Sequence, residues 1–402
     1  MNKLFSLALA LSLAACSTPY HPPQFLDAGT AFPGLIDLAA QSQGKAIDVL
    51  LVHGICTHDE RWARETVAQL TQSLAVNAPP SGAQPRAGQQ AAPQMQVRVV
   101  PLPVDTSAGR LRFDALVWSP LTQALKSALC YDMGEKNALC QGSPPMTATR
   151  ARINARGKDY LVDDCIADAM IYAGISHKTM VAGMRAVAMQ VLDAADARVD
   201  VPLVVVAESM GSKYLFDTLL SMSSEEADAH AVQVAQRTMD RMRYLVMAAN
   251  QIPLLGLADR RIDAAVPGQA ASGGAARSAA TMPPGSDSLQ QLLQLRRTRA
   301  GAGARSGSSA GSGGGDVAAR ASAADQRLVL VAFTDPSDLL SYALQTEKYA
   351  GDGIVAYNIL VSNATTYLSL FERPDDAHLN YLSNPDVGRL VACGRPISKL
   401  CK

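Results

Sequence analysis

The strongest chemical signal in the chain is a serine between a short apolar run and a helical pattern. Ser209 is the third residue of segment 207–211, AESMG, which follows the apolar run 203–206. A serine at a strand-to-helix corner, with a small residue two positions before and after it, is typical of a nucleophile elbow. Ala207 stands where the usual pattern has its first glycine. The segment predicts a nucleophilic serine, and a buried serine at an ordinary junction is the alternative.

A serine nucleophile needs a histidine base, and the histidine needs an orienting carboxylate. In the elbow arrangement the chain order is serine, acid, histidine, and the acid follows a later strand. The last suitable strand pattern ends at Phe333, and His378 is the one histidine of six beyond it. Its surroundings are rich in Asp and Pro, which predicts a loop that can reach the end of a sheet. We therefore predict that His378 is the base.

Two aspartates are candidates for the acid. Asp335 precedes a proline, which is typical of a helix N-cap followed by proline at the first helical position. That pattern gives Asp335 a structural role, whereas Asp338 stands a few residues farther from the strand. We prefer Asp338 and keep Asp335 as the alternative acid.

Acyl transfer also needs N–H donors for the oxyanion of the tetrahedral intermediate. One donor should come from the residue after the nucleophile, Met210. The second should come from the loop after the strand that ends at Val52, and the Ile55 N–H is our candidate. The adjacent His53 is expected to be structural.

Around these residues, strand patterns alternate with helical ones. This alternation predicts an α/β fold with a mostly parallel sheet covered by helices on both faces. The predicted strands are 47–52, 97–104, 111–118, 203–206, 244–249, 328–333 and 356–361, with a helix in 59–76 and a loop in 78–94.

The first 15 residues have the pattern of a targeting segment, with Lys3 followed by an apolar stretch too short to span a bilayer. The sequence LAAC at 13–16 resembles a bacterial lipobox, which implies cleavage before Cys16 and its lipidation. Ser17 implies sorting to the outer membrane, facing the periplasm. Residues 16–44 are predicted to be a tether. The alternative is an ordinary secretory signal.

Composition narrows the function further. Lys and Arg number 36 and so do Asp and Glu, so no charge excess indicates a nucleic-acid partner. Six cysteines follow Cys16, an even number that permits disulfides in an exported protein. We expect the local pairs 130–140 and 393–401. Asp163, Asp164 and Asp168 are close in sequence, but no histidine accompanies them, so neither a metal nor another cofactor is predicted.

One segment breaks the composition. Residues 264–324 are dominated by Ala, Gly, Ser and Arg, which predicts a disordered insertion because so little apolar surface can be buried. A short basic helix at 288–299, in contact with anionic lipid, is the alternative for part of it.

Segments 49–55, 207–211, 334–341 and 377–381 together resemble the α/β-hydrolase family, and most closely its lipase- and esterase-like members. The resemblance covers 45–395 apart from the insertion, and implies one hydrolase domain over 45–402. It places a possible cap over the site at 119–165, where Trp118 and nearby leucines would shape an acyl pocket or pack in the core.

The function that this implies is a membrane-anchored serine hydrolase of carboxylic esters, lipids among them, working through an acyl-enzyme without a cofactor. Two alternatives remain open: a catalytically silent envelope lipoprotein that acts as an interaction module, and an acyltransferase. Substrate and oligomeric state do not follow from the sequence.

Overall fold

The computed structural model describes residues 16–76, 96–134, 138–140, 149–193, 201–224, 226–259, 286–306 and 327–402. The predicted targeting segment 1–15 and the predicted loop 78–94 lie outside these residues. Among the described helices, none combines the length and the apolar character that a bilayer-spanning helix requires.

The centre of the fold is an eight-stranded sheet in the order β2-β9-β8-β7-β6-β3-β5-β4. Neighbouring strands from β5 to β9 are parallel, whereas the two edge strands β2 and β4 pair antiparallel. The predicted α/β class with a mostly parallel sheet is confirmed. The strands are β1 Cys16–Ser17, β2 Gln24–Phe25, β3 Ile47–Val52, β4 Arg98–Thr106, β5 Gly109–Val117, β6 Leu203–Glu208, β7 Met242–Ala248, β8 Leu328–Thr334, β9 Ile354–Leu360 and β10 Thr366–Tyr367.

Helices connect the strands and cover both faces of the sheet. Short 3₁₀ segments occupy Ser119–Leu121, Ser127–Asp132 and Ala138–Cys140, and a π-helical stretch spans Gly157–Ile166. The α-helices are α1 Leu35–Gln41, α2 Glu60–Thr71, α3 Gln123–Lys126, α4 Arg152–Arg156, α5 Ala167–Ala173, α6 His177–Asp193, α7 Met210–Met222, α8 Ala229–Arg241, α9 Ile252–Leu255, α10 Ser288–Ser306, α11 Thr346–Tyr349, α12 Pro374–Leu379 and α13 Pro385–Cys393.

The central strands are buried on both faces, which is why they are continuous apolar runs rather than alternating patterns. In β6, Val205 and Ala207 belong to one apolar layer, and Val204 and Val206 belong to the layer on the other side. Every residue of β6 is buried. This strand therefore has no solvent-facing side, and its carboxyl end is fixed where the site residues emerge.

The predicted tether at 16–44 is wrong for most of its length. Strand β2 pairs with β9 at the edge of the sheet, and α1 packs into the core with Leu35 and Ile36 fully buried. The Pro, Ala and Gly content suggested a linker. The apolar positions of α1 nevertheless bury enough surface to offset the entropy of ordering the segment.

The predicted disorder of 264–324 is wrong for residues 286–298. This stretch contains the first part of α10, and Leu289, Leu292 and Leu293 are buried in the same apolar layer as α7. Their i, i+3, i+4 spacing forms one helix face. Residues 260–285 and 307–326 lie outside the described residues.

Three disulfides are present. Cys130–Cys140 and Cys393–Cys401 are the two predicted local pairs, which the structure confirms. The remaining pair is Cys56–Cys165, which joins residues 109 positions apart. It links the loop after β3 to the π-helical stretch of the predicted cap region.

Candidate active site

Ser209 stands at the corner between β6 and α7. Its backbone has φ 54° and ψ −131°, a region that non-glycine residues rarely occupy and that stores strain at functional sites. Its N–H donates to the Ala248 carbonyl at 2.7 Å, which extends the β6–β7 pairing to the corner residue. The chain then turns directly into α7 at Met210.

The close packing at this corner explains the small residues around it. A Cβ on Gly211 would overlap the carbonyl oxygen of His53, and a Cβ on Gly54 would lie 2.7 Å from the Cβ of Ser209. Ala207 is different, because it lies within β6 with its neighbours in register on β3 and β7 and fits with its methyl group buried. The departure from glycine at this position is therefore sterically accommodated.

Three side chains that are far apart in sequence meet at the carboxyl edge of the sheet. The Ser209 hydroxyl lies 3.0 Å from His378 Nε2, and His378 Nδ1 lies 2.9 Å from each carboxylate oxygen of Asp338. An imidazole that donates from Nδ1 to Asp338 has a free lone pair on Nε2, which accepts from the serine hydroxyl. This is the hydrogen-bond sequence that activates a serine.

The two candidate acids have different partners. Asp338 faces His378, whereas Asp335 accepts from the backbone N–H groups of Ser337 and Asn363 at 2.9 and 2.6 Å. The structure brings Asp338, and not Asp335, to the histidine. Asp335 begins a turn rather than the predicted helix, because no helix follows it before α11. Burial raises the pKa of Asp335 above the usual range for a carboxyl group.

Tyr381 connects the two aspartates. Its hydroxyl donates to Asp338 Oδ2 at 3.0 Å and accepts from the Asp335 N–H at 2.7 Å. The ring is fully buried, and the neighbouring Asp338 adds to burial in raising the pKa of the phenol. Tyr381 therefore remains a neutral donor that fixes the orientation of the Asp338 carboxylate.

Gln251 is a site residue that sequence reasoning did not find. Its Nε2 lies 3.3 Å from His378 Nε2, the same ring nitrogen that faces Ser209. It follows β7 by three positions, at the same edge of the sheet as the ends of β6 and β8. That placement after a parallel strand was a usable signal, but a lone glutamine carries no motif.

The two predicted oxyanion donors flank Ser209. Met210 is the first residue of α7, where backbone N–H groups lack partners within the helix, and the helix dipole favours negative charge. Ile55 follows Gly54, which lies against Ser209. Within the described part of the chain, neither N–H donates a hydrogen bond to a protein acceptor. Both are therefore available to an incoming oxygen.

His53 has a structural role, as expected. Its Nε2 accepts from the backbone N–H of Trp118 at 2.9 Å, and its Nδ1 donates to the Gly54 carbonyl at 2.8 Å. Its ring stacks on the Trp118 indole. Burial lowers the pKa of His53 well below the usual value for histidine, which keeps the ring neutral. Trp118 is fully buried in this stack, so of its two predicted roles it has the core one.

The loop 53–58, which carries Ile55, is attached to the cap region by a buried polar cluster. The Cys56 N–H donates to Asp168 at 2.9 Å, and the Thr57 hydroxyl donates to Asp164 at 2.6 Å. Lys126 Nζ lies between these carboxylates, 2.7 Å from Asp164 and 3.1 Å from Asp168. The Cys56–Cys165 disulfide closes the same cluster covalently.

The third aspartate of that sequence group faces elsewhere. Asp163 pairs with Lys158 at 2.5 Å. The ammonium of Lys126 thus supplies the positive charge between Asp164 and Asp168. Among the described residues, no cluster of His, Cys, Asp and Glu side chains has the arrangement of a metal site.

Glu208, the residue directly before Ser209, has a buried carboxyl group. Burial and, to a smaller extent, the nearby Asp338 raise the pKa of Glu208 to about 8. A hydrogen bond from the Gly54 N–H partly opposes this rise. Glu208 is therefore held neutral near pH 7, so it adds no second negative charge beside Asp338. As a neutral group it anchors Gly54, which lies against Ser209.

Because no known protein matches the chain, its function must be inferred from the geometry of the site. The chain matches no protein-family model, no curated protein and no solved structure. What the arrangement can do follows from its chemistry: a hydroxyl next to a neutral imidazole, an imidazole oriented by a carboxylate, and two free N–H groups at the same corner.

Proposed function

We propose that the protein is a serine hydrolase that cleaves carboxylic esters through an acyl-enzyme. The observation that carries this proposal is the continuous Ser209–His378–Asp338 contact sequence at distances of 3.0 and 2.9 Å. The strained backbone of Ser209 supports it, because an ordinary buried serine needs no such conformation. The resemblance to α/β-hydrolases in four segments points the same way.

In the proposed reaction, Ser209 Oγ attacks the ester carbonyl while His378 Nε2 takes the hydroxyl proton. The Ile55 and Met210 N–H groups stabilise the oxyanion, and Asp338 stabilises the imidazolium that forms. His378 then protonates the leaving alcohol. Water attacks the acyl-enzyme with His378 again as base, releasing the acid and free Ser209. Gln251 is placed to position the ring or the attacking water.

The proposed setting is the bacterial envelope, with the chain anchored through a lipidated Cys16. The support is the lipobox-like sequence at 13–16 together with the exposed, unpaired thiol of Cys16. An anchor with several acyl chains gives stable membrane attachment, since each buried CH₂ contributes about 0.8 kcal/mol. The proposed substrates are then esters that reach the membrane surface.

A covalent serine probe tests the catalytic proposal. We expect a fluorophosphonate to label the folded wild-type chain at Ser209, and a p-nitrophenyl ester series to show turnover with a preferred acyl length. Ser209→Ala should abolish labelling and lower kcat by about 10⁴-fold or more.

Ser212→Ala is the matched control for that experiment. Ser212 lies one turn along α7 and its hydroxyl donates to the Ser209 carbonyl at 2.7 Å, so it is buried and close but does not face His378. It should keep labelling. Wild-type protein that is folded by circular dichroism but neither labels nor turns over any ester contradicts the proposal.

A further inference from the structure

Large apolar side chains are concentrated on one short exposed loop, residues 366–371, which we call the apical loop. Leu370 is 87% exposed, and Tyr367, Leu368 and Phe371 are each about half exposed. Ile153 of α4 is 84% exposed, and it lines a surface cavity together with Phe371. Scattered apolar side chains on a surface are normal, but a contiguous group indicates an interaction site.

The backbone of the apical loop holds these side chains outward. Leu368 and Ser369 have φ of 51° and 54°, a left-handed conformation that is strained for a non-glycine residue. The loop is closed by the Tyr367 N–H, which donates to the Phe371 carbonyl at 2.7 Å. The exposed leucines of this strained turn do not contribute to the buried core of the chain. Its apolar side chains need a partner outside the chain.

The position of Cys16 identifies that partner. Strand β1 pairs with β10 so that Cys16 is opposite Tyr367 and Ser17 is opposite Thr366. Directly paired residues on antiparallel strands have Cα atoms about 4.5–5.5 Å apart. If Cys16 carries the acyl chains that its sequence context predicts, those chains leave the protein beside the apical loop. The loop then lies at the bilayer surface.

The charges around the loop indicate the type of bilayer. The cavity shared by Ile153 and Phe371 has a volume of about 800 Å³ and is bordered by Arg152, Arg156 and Arg373. The carboxylate of Asp375 accepts from Arg156 at 2.8 Å and from Arg373 at 2.8 Å. Arg373 also pairs with Asp376 at 3.0 Å. Around the cavity, three guanidinium groups face the carboxylates of Asp375 and Asp376, whereas the carboxylate of Glu372 is buried and accepts from the Thr366 hydroxyl at 2.9 Å. The positive charge that faces solvent is that of Arg152, on the exposed face of α4.

We propose that the apical loop and α4 form a docking surface for an anionic lipid bilayer, next to the lipidated Cys16. The apolar tips insert among the acyl chains while the arginines contact lipid phosphates. Basic side chains near an anionic surface are attracted to it, and the attraction weakens with salt. The lipid anchor supplies attachment, and the docking surface supplies a fixed orientation.

This orientation bears on the substrate. Pro374 and Asp375 line the cavity and begin α12, which carries His378 about one helical turn, ~6 Å, farther along. A lipid ester that rises from the docked bilayer into the cavity therefore reaches the start of the helix that carries the base. The inference of a lipid-borne substrate rests on the proposed hydrolase function, whereas the inference of docking does not.

Tryptophan placed in the loop tests the docking. The lipidated full chain is reconstituted into vesicles of phosphatidylcholine and phosphatidylglycerol with bromine on the acyl chains. We expect Leu370→Trp to show blue-shifted emission and several-fold stronger bromine quenching than Ile175→Trp. Ile175 is the matched control because it is a fully exposed apolar residue in the α5–α6 turn. Adding Arg152→Gln should reduce the quenching when phosphatidylglycerol is present.

Each outcome decides the proposal. Water-like emission from Leu370→Trp, with quenching equal to that of the Ile175→Trp control, would overturn it. Blue-shifted emission without bromine quenching would also overturn it, by showing that the loop packs against protein, such as a second copy of the chain. Equal quenching in pure phosphatidylcholine, unaffected by Arg152→Gln, would overturn the anionic preference.

A kinetic measurement separates the substrate inference from the proposed function. Leu368→Ser with Leu370→Ser should lower hydrolysis of a long-chain ester embedded in vesicles by about tenfold or more. Hydrolysis of a soluble p-nitrophenyl ester should stay within twofold, as should both activities of Ile175→Ser. If the double variant hydrolyses both substrates at the wild-type rate, the inference of a lipid-borne substrate is overturned and the proposed hydrolase function is unaffected. A folded wild type that neither labels with a fluorophosphonate nor hydrolyses either ester refutes the hydrolase alone, because the quenching experiment is independent of it.

Discussion

The two sides of the candidate site are held in place by different physical means. The side that carries Ser209, Asp338 and His378 is built by the sheet, since parallel strands β6 and β8 end at one edge and His378 reaches it from α12. The other side, loop 53–58 with Ile55, is held by a disulfide, a buried lysine and two buried aspartates, Asp164 of the predicted cap region and Asp168 of α5. The first depends on backbone topology and the second on specific side chains.

This difference has consequences for mutation. Substitutions on the triad side should remove chemistry while the fold remains, because the strands position those residues through backbone hydrogen bonds. We call the buried cluster of Lys126, Asp164 and Asp168, together with the Cys56–Cys165 disulfide, the clamp. Substitutions in the clamp should weaken folding and oxyanion stabilisation together. The expected effects of substitutions on the two sides run from about 5 kcal/mol down to about 1 kcal/mol.

The largest effect should come from the acid. Asp338→Asn keeps the shape of the side chain but disfavours the productive tautomer of His378, so kcat should fall about 10⁴-fold, or about 5 kcal/mol. Asp335→Asn is the matched control, because the Asp335 carboxyl group faces the backbone N–H groups of Ser337 and Asn363 and the side chain of Glu372 rather than His378. Steady-state ester hydrolysis measures both. A greater loss in Asp335→Asn would reverse the assignment of the acid.

Lys126→Met should be the most destabilising change in the clamp. It leaves Asp164 and Asp168 buried without their cation, and breaking a buried ion pair in this way costs about 3–5 kcal/mol. Urea unfolding measures the loss. Lys158→Met is the control, since the Lys158 pairs are partly exposed and should contribute about 1 kcal/mol or less. Similar losses in the two variants would refute the clamp.

The disulfides give a smaller and more specific contrast. Replacing Cys56 and Cys165 by serine should lower the unfolding free energy by about 2–4 kcal/mol. It should also lower kcat, but by less than the about 10²-fold expected for complete loss of one oxyanion donor. Cys393→Ser with Cys401→Ser removes a bridge distant in sequence from the loop. That control should lose stability without losing kcat in the folded enzyme, and a comparable loss of kcat would show that loop 53–58 is not specially held.

Tyr381→Phe should have the smallest effect. It removes one donor to Asp338 and leaves the Asp335 N–H without its acceptor, so we expect a loss of about 1–2 kcal/mol in stability and up to tenfold in kcat. In Tyr244, the buried hydroxyl has no protein partner within the described residues, so Tyr244→Phe should be neutral. An unchanged kcat in Tyr381→Phe would mean that Asp338 is oriented without it.

The predictions from sequence succeeded where a local pattern and chain topology agree. Ser209, Asp338 and His378 were predictable because strand patterns are visible as apolar runs, and because parallel strands bring their carboxyl ends to one edge. Asp338, the preferred candidate, is the aspartate that lies against His378, although the helix expected at Asp335 is a turn. Helix α1 was missed because seven residues with flanking Gly and Pro carry too weak a periodic signal.

Other features have no local signature. Gln251 lies near His378 only because β7 is next to β6, and Lys126 pairs with Asp164 and Asp168 only after these distant segments pack beside loop 53–58. The apolar face of α10 was hidden by the Gly, Ala and Ser composition around it. In each case the signal is a contact between distant segments.

The sequence by itself determined the strand pattern, the candidate nucleophile and the order of the catalytic candidates, because these follow from backbone propensity and from chemistry carried by single residues. Tertiary structure alone decided which cysteines join across 109 positions, which aspartate meets the imidazole and which apolar side chains remain outside. Those outcomes depend on packing and on competition for burial, and such energies exist only once distant parts of the chain are in contact.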